Sequence, residues 1–196
     1  TSFADNHQEL ENVFLEVFSD DGTKPDKIAA DKAVYIPHEE KNFTAYFAGA
    51  VKIDTRDELK VRTEQVTYTR ENETAIADEM VDFERANVRG KSFGATVRVK
   101  EKLLELARDV EIDAVGDANG ESSKLRAGNA TYDQSAEKIE LKDNISVAIS
   151  SPGEAGKPAR FSDLTAASAT AFLGEGGTAD TKSVDRVEMF DNVNIV

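Results

Sequence analysis

The chain has 196 residues, with 24 lysines and arginines against 38 aspartates and glutamates, a net charge of −14 and no cysteine. That charge argues against a nucleic-acid backbone or an anionic bilayer surface as the main partner, and the missing cysteine removes disulfides, thiol chemistry and cysteine-held metals. No apolar run approaches the roughly 20 residues of a membrane-spanning helix, and a start at threonine points to a processed or trimmed chain with room upstream for a signal or anchor.

The first predicted strand lies near the N-terminus, where Val13, Leu15 and Val17 alternate with Phe14, Glu16 and Phe18. Period-two alternation of this kind marks a strand with one buried face. Beyond it one triplet of apolar, polar, apolar residues recurs five times: Val51 to Ile53, Val81 to Phe83, Val110 to Ile112, Ile145 to Val147 and Val193 to Ile195. Tyr68, Val97 and Tyr132 each stand thirteen residues before their triplet, in the openings "VTYT", "ATVR" and "ATYD". In the first copy Tyr35 precedes Val51 by sixteen, and in the last the stretch "SATAFLGEGGTADTKSV" lengthens the interval with its cluster from Gly174 to Gly177. Equal spacings define an internal repeat.

Short polar tracts, "TRENET", "RVKEK" and "DQSAEK", separate each opening from its triplet strand and suit tight turns. Each unit therefore reads as a short strand, a turn and a longer alternating strand. "VKEKLLELARDV" is the one tempting helix, and its register with the other units overrides that reading. The alternation breaks two residues before each triplet, at Gly49, Glu79, Arg108, Asp143 and Asp191. A β-bulge that turns these side chains out to water suits their mixed signs; a line of polar groups inside a groove is the other reading.

The catalytic inventory is poor. His7 and His38 are the only histidines, one in a polar N-terminal segment and one in "IPHEEK", and both read as solvated. No nucleophile elbow, phosphate loop or metal-ligand spacing occurs; "GEGG" at 174–177 lacks the Lys-Ser/Thr of a phosphate loop. Glu39, Glu40, Asp20 and Asp21 are acidic loop residues, with calcium binding the weaker alternative. Neither catalysis nor a cofactor nor a metal is expected.

The unit in "NATYDQSAEKIELKDNISV" (129–147) resembles the repeat of the lipopolysaccharide-transport β-jellyroll family, the OstA-like group: A-x-x-Y, a turn, then L-x-L-x-G-x-V-x-I. "FTAYFAGAVKI" (43–53) keeps the glycine of that pattern as Gly49, whereas the other copies replace it. "GTKPDKIAADKAVY" (22–35) is similar to the opening of LptC-type members, which match better than LptA-type ones. The resemblance implies an all-β, open and twisted β-jellyroll of repeated antiparallel strand units, one domain over 1–196. It also implies a periplasmic carrier that shields lipopolysaccharide acyl chains and passes them along a bridge toward the outer membrane. Its partners would be other jellyroll transport proteins, joined by edge-strand pairing, and an inner-membrane ABC transporter complex. LptC-type members are held at the inner membrane by an N-terminal helix, and this chain contains none.

Inward parity and the matched motif positions together nominate Phe47, Val51, Ile53, Phe83, Val110, Ile112 and Val147 as the lipid-binding groove. Aromatic residues on the same parity, such as Phe43, and the unit-opening Tyr35, Tyr68 and Tyr132 serve either as core or as groove wall. Val13, Leu15, Val17, Val193 and Ile195 lie on terminal strands without a sequence neighbour, and are candidate docking edges for β-augmentation. The expected architecture is two antiparallel sheets around a common interior. A β-solenoid or adhesin-like structural module is the alternative, distinguishable by parallel coils packed too tightly for an acyl chain.

Overall fold

Strands and tight turns account for almost everything. The computed structural model describes residues 7–18, 24–39, 42–56, 58–115, 122–153, 158–175 and 182–196, with backbone alone at 17, 175 and 182–184. Its strands are β1 (Gln8–Phe18), β2 (Pro25–Pro37), β3 (Phe43–Asp54), β4 (Lys60–Thr69), β5 (Thr74–Arg85), β6 (Val88–Arg98) and β7 (Leu103–Val115). They continue with β8 (Ser122–Ala127), β9 (Asn129–Asp133), β10 (Lys138–Ser151), β11 (Arg160–Glu175), β12 (Lys182–Phe190) and β13 (Asn194–Ile195). No α-helix occurs among the described residues, and none of their elements is a helix long and apolar enough to cross a membrane.

The order is a plain meander, β1-β2-β3-β4-β5-β6-β7-β8-β10-β11-β12, with every neighbouring pair antiparallel. β8 and β9 pair with the same two neighbours and are one strand broken at Gly128. β12 and β13 share β11 in the same way. The fold is thus the expected all-β, open jellyroll, and the antiparallel pairing excludes the parallel coils of a solenoid. Two expectations change. One continuous hydrogen-bonded sheet replaces two separate sheets, because every strand runs on through a corner instead of ending there. The opening strands are also not short: β2, β4 and β6 have 13, 10 and 11 residues.

The corner explains both. In β3, β5, β7 and β10 the two buried residues that flank it are four apart: Phe47 and Val51, Ala77 and Val81, Leu106 and Val110, Leu141 and Ile145. In β2, β4, β9 with β8, and β11 they are three apart: Ala30 and Ala33, Thr63 and Val66, Ala127 and Ala130, Ala166 and Ala169. Alternate strands therefore carry one extra residue, and the register shifts there, between Ala48 and Val51, Ala77 and Met80, and Lys142 and Ile145. In β3, β7 and β10 residues at the step sit in left-handed backbone, Gly49 (φ 80) and Ala50 (φ 45), Asp109 (φ 51), and Asp143 (φ 65) and Asn144 (φ 55), as do Asp191 (φ 57) and Asn192 (φ 53) between β12 and β13; β5 makes the step without one. Gly, Asn and Asp tolerate this conformation best. Glu79, Arg108, Asp143 and Asp191 are all exposed on the outside of the bend, as the bulge reading requires.

Side chains converge on the concave side of a corner, so bulk has to be rationed. The registers Val51 with Thr63, Val81 with Ser92, Val110 with Ala127 and Ile145 with Ala166 place a β-branched residue beside a small one every time. Strands lie about 4.8 Å apart, and this alternation fills the bend without collision. Two apolar clusters result, one built on β2 to β5 and one on β7 to β11.

The outer face carries a ladder of charge. Following the register across strands gives Glu16, Lys27, Asp54, Lys60, Glu84, Arg89, Asp113 and Lys124, alternating in sign at every step. Lys27 Nζ lies 3.5 Å from Glu16, and one row over Lys91 Nζ lies 3.4 Å from Glu111. Each such exposed cross-strand pair contributes about 0.2–1 kcal/mol, and a one-residue slip would replace these pairings while turning the apolar set outward.

The loop after β3 is clamped to the start of β2. Asp26 accepts hydrogen bonds from the Arg56 backbone N–H (2.8 Å), Nε (3.2 Å) and Nη2 (2.7 Å). The bond from the Arg56 side chain, outweighing partial burial, holds the Asp26 carboxyl below its ordinary range.

Asn144→Gly is expected to change stability by less than about 0.5 kcal/mol, whereas Asn144→Val, β-branched in left-handed backbone, should cost about 1–3 kcal/mol; urea denaturation with far-UV circular dichroism reads both. A depressed folded pKa gives stability that is present above the ordinary aspartate pKa and lost as pH falls through the folded value. Asp26→Asn is therefore expected to lower stability at neutral pH by about 1 kcal/mol, and thermal melts of the two proteins should converge in acid.

Candidate functional site

Inside the corner, the next row of side chains runs the whole width of the sheet. By register it passes Leu15, Ile28, Ile53, Val61, Phe83, Gly90, Ile112, Leu125, Val147, Leu164 and Ile195, one residue from each strand position. Every member but Gly90 is apolar, and its central members, Ile28 to Leu164, are half-buried. The Phe83 ring fills the gap at Gly90, where a Cβ would stand 2.3 Å from Phe83 Cζ. That lets Phe83 pack against the second cluster from its place on β5, while Ala95 on β6 packs against both clusters.

The seven nominated groove residues divide into two sets. Ile53, Phe83, Ile112 and Val147 belong to this half-buried row. Phe47, Val51 and Val110 lie deeper, at the corner, with Val51 and Val110 only 1% exposed. The structure therefore places four of them in a half-buried row and buries the other three behind it. Sequence reading missed the even-strand members Ile28, Val61, Leu125 and Leu164. The signal that could have found them is the three-residue spacing of the small buried pairs, as in "AADKA", "TEQV" and "AGNA".

The opposite wall ends differently. Phe43 stacks between Tyr35 (ring centroids 5.2 Å) and Tyr68 (5.8 Å), with the Arg70 guanidinium 5.9 Å from the Phe43 ring centre. Burial pushes the Tyr68 hydroxyl pKa up. These rings close the rim of β2 to β4, whereas Tyr132 lies apart, paired with Leu104 and Ile139.

Two clefts are found around the charged strand ends. One of about 400 Å³ is lined by Lys60, Asp82, Glu84, Arg89 and Asp113 of the charged face together with Phe83 and Gly90 of the row. Another of about 620 Å³ surrounds the loop between β3 and β4. Most residues lining both are charged or polar. His38 Nε2 shares a 2.9 Å hydrogen bond with Thr44 Oγ1, and His7 lies 3.8 Å from Glu9. Glu39 is exposed; Asp20, Asp21, Glu40 and the glycines at 176 and 177 are outside the described residues.

The terminal strands end the sheet. Among the described residues β1 pairs only with β2, and β12 and β13 only with β11. Their apolar side chains are unusually bare: Leu10, Phe14, Leu15 and Phe18 on β1, and Val187, Phe190, Val193, Ile195 and Val196 at the other end. Val13 packs against the first cluster, and of Val17 only the backbone is described. Val196 exchanges backbone hydrogen bonds with Asp163 at 2.9 and 3.0 Å. Its neighbour Ile195 therefore aims its own N–H away from β11, toward the open edge.

No curated protein matches the chain. The sequence profile of the family described as "Lipopolysaccharide-assembly, LptC-related" matches residues 2–114, more than half of the chain. The matched stretch ends within β7, and the corner pattern continues unchanged into β10. With an all-β open jellyroll, a continuous inner apolar row and this match in hand, the chain is a member of the LptC-related family of lipopolysaccharide-assembly proteins.

Proposed function

We propose that the chain is a periplasmic carrier whose inner row shields lipopolysaccharide acyl chains and hands them along a bridge of jellyroll domains toward the outer membrane. The observation that carries this reading is the continuity of the row. It begins at Leu15 on one bare edge, 41% exposed, and ends at Ile195 on the other, 68% exposed. A partner strand added at either edge would prolong the row without a polar gap.

Burying each methylene against water yields about 0.8 kcal/mol, so a dozen carbons give roughly 10 kcal/mol gross with no charged contact. Against a bilayer interior the same transfer is nearly neutral. Such a groove lowers the barrier to crossing water and supplies no drive, so the energy comes from a partner; the family resemblance suggests an inner-membrane ABC transporter complex, with an N-terminal helix as anchor.

Docking follows the edges. Neither β1 nor the segment 191–196 contains lysine or proline, the usual protections of a free strand. The two edges differ in sequence, so pairing is head to tail, and the Val13, Leu15 and Val17 edge of one domain meets a Val193 and Ile195 type of edge on its neighbour.

Photo-crosslinkers at Phe83 and Ile112 are expected to label lipopolysaccharide, while those at Lys91 and Glu111 on the outer face should not; equal labelling rejects the groove. Ile195→Pro removes an outward amide and Leu15→Lys places a charge at the other end of the row. Each is expected to weaken binding to a jellyroll partner at least tenfold with an unchanged far-UV spectrum, and binding that survives both rejects edge docking.

A further inference from the structure

On the outer face of the sheet, charges and rings are answered by the neighbouring strand. Glu111 Oε2 lies 3.4 Å from Lys91 Nζ on β6 and its Oε1 3.8 Å from Arg126 Nε on β8, so one carboxylate takes a cation from each side. By register Asp54 likewise stands between Lys27 and Lys60, and Glu84 between Lys60 and Arg89. Two outer rings follow a second rule. The arginine opposite Phe93 is Arg108 and the one opposite Phe172 is Arg186, and their guanidinium groups lie 4.3 and 4.2 Å from the ring centres.

At β1 both patterns stop halfway. Its outer side presents Glu11, Phe14, Glu16 and Phe18, and the strand holds no lysine or arginine. Lys27 answers Glu16 from β2 at 3.5 Å and Lys32 stands opposite Glu11, but the far side of β1 is an open edge among the described residues. Phe14 and Phe18, 65% and 57% exposed, have only Ala29 and Pro25 opposite them. A second copy does not complete the pattern. Eleven strand positions alternate in direction, so the first and last run the same way. Laid head to tail with Leu15 level with Ile195, Phe14 and Glu16 come level with Asn194 and Val196, and the segment 191–196 carries no cation.

We propose that β1 docks a strand of a different protein, one whose inward apolar side chains alternate with outward arginine or lysine, and that it does not take a second copy. This rests on the edge docking described above: the open backbone and the apolar row hold a strand, and Glu11, Phe14 and Glu16 select a basic one. Arginine suits both tasks, since its guanidinium pairs with a carboxylate and stacks on a ring.

The test is fluorescence anisotropy of short labelled peptides in which valine alternates with arginine, glutamine or glutamate, titrated with the purified chain. The arginine peptide is expected to bind about threefold to tenfold more tightly than the glutamine peptide, the size of one or two cross-strand pairs, and the glutamate peptide most weakly. Glu16→Lys should remove that preference, and Phe14→Leu should weaken the arginine peptide about twofold to fivefold. Glu79→Lys, the same change of net charge at an exposed position outside the bend, should leave it intact. Equal binding of the three peptides, an arginine-peptide affinity that Glu16→Lys or Phe14→Leu leaves unchanged, or an equal loss in Glu79→Lys overturns the proposal while edge docking stands. Self-association of the chain that Leu15→Lys abolishes makes a second copy the occupant and overturns it too. Failure of every peptide to bind removes edge docking at β1 and this inference with it.

Discussion

The corner is the constraint on which the rest of the molecule depends. A strand that alternates strictly by two would bury its apolar side before the bend and expose it after. Each strand here skips two or three residues at the bend, so that Ala30 and Ala33, or Phe47 and Val51, face the same interior. In β3, β7 and β10 the skip of three includes residues in left-handed backbone, mostly glycine, aspartate and asparagine, whereas β5 makes it without one. The charges that interrupt the inner parity are thus the chemistry of a bulge. They face water, and their mixed signs carry no message for a ligand.

From the corner follow the packing and the electrostatics. Convergence on the concave side requires small residues on every other strand, which is why alanine, serine and threonine line β2, β4, β6, β8 and β11 at the bend. On the convex side the side chains splay apart, leaving room for long lysines, arginines and glutamates, and the cross-strand register arranges them in alternating sign. The chain's net charge of −14 therefore coexists with a local ladder that is close to neutral. The two clefts draw most of their lining from these charged side chains, with Phe83 and Gly90 of the inner row joining one of them.

A one-layer sheet folded on itself has two bare edges and an interior that runs from one to the other. In an isolated soluble domain both edges would be a liability. In this member of the LptC-related family the inner apolar row reaches both of those edges. Under the proposed carrier role, groove and docking edges are one continuous feature.

Read as a string, the chain determined its strands, their repeat, the apolar triplets and the family, because all of these are written within single segments. Val110, Glu111 and Ile112 face alternate sides whatever their neighbours do. The even strands were harder to read: "VRTEQVTYT" hides its parity change between Thr63 and Val66, so β4 looked shorter than it is. What only the tertiary structure decided is what pairing decides. The bend turned two expected sheets into one, separated sealed Val51 and Val110 from half-open Ile53 and Ile112, and lined up Glu16 through Lys124 in alternating sign. Those properties belong to registers between strands, fixed when side chains from eleven strand positions compete for one concave space, and no periodicity within a single strand can encode them.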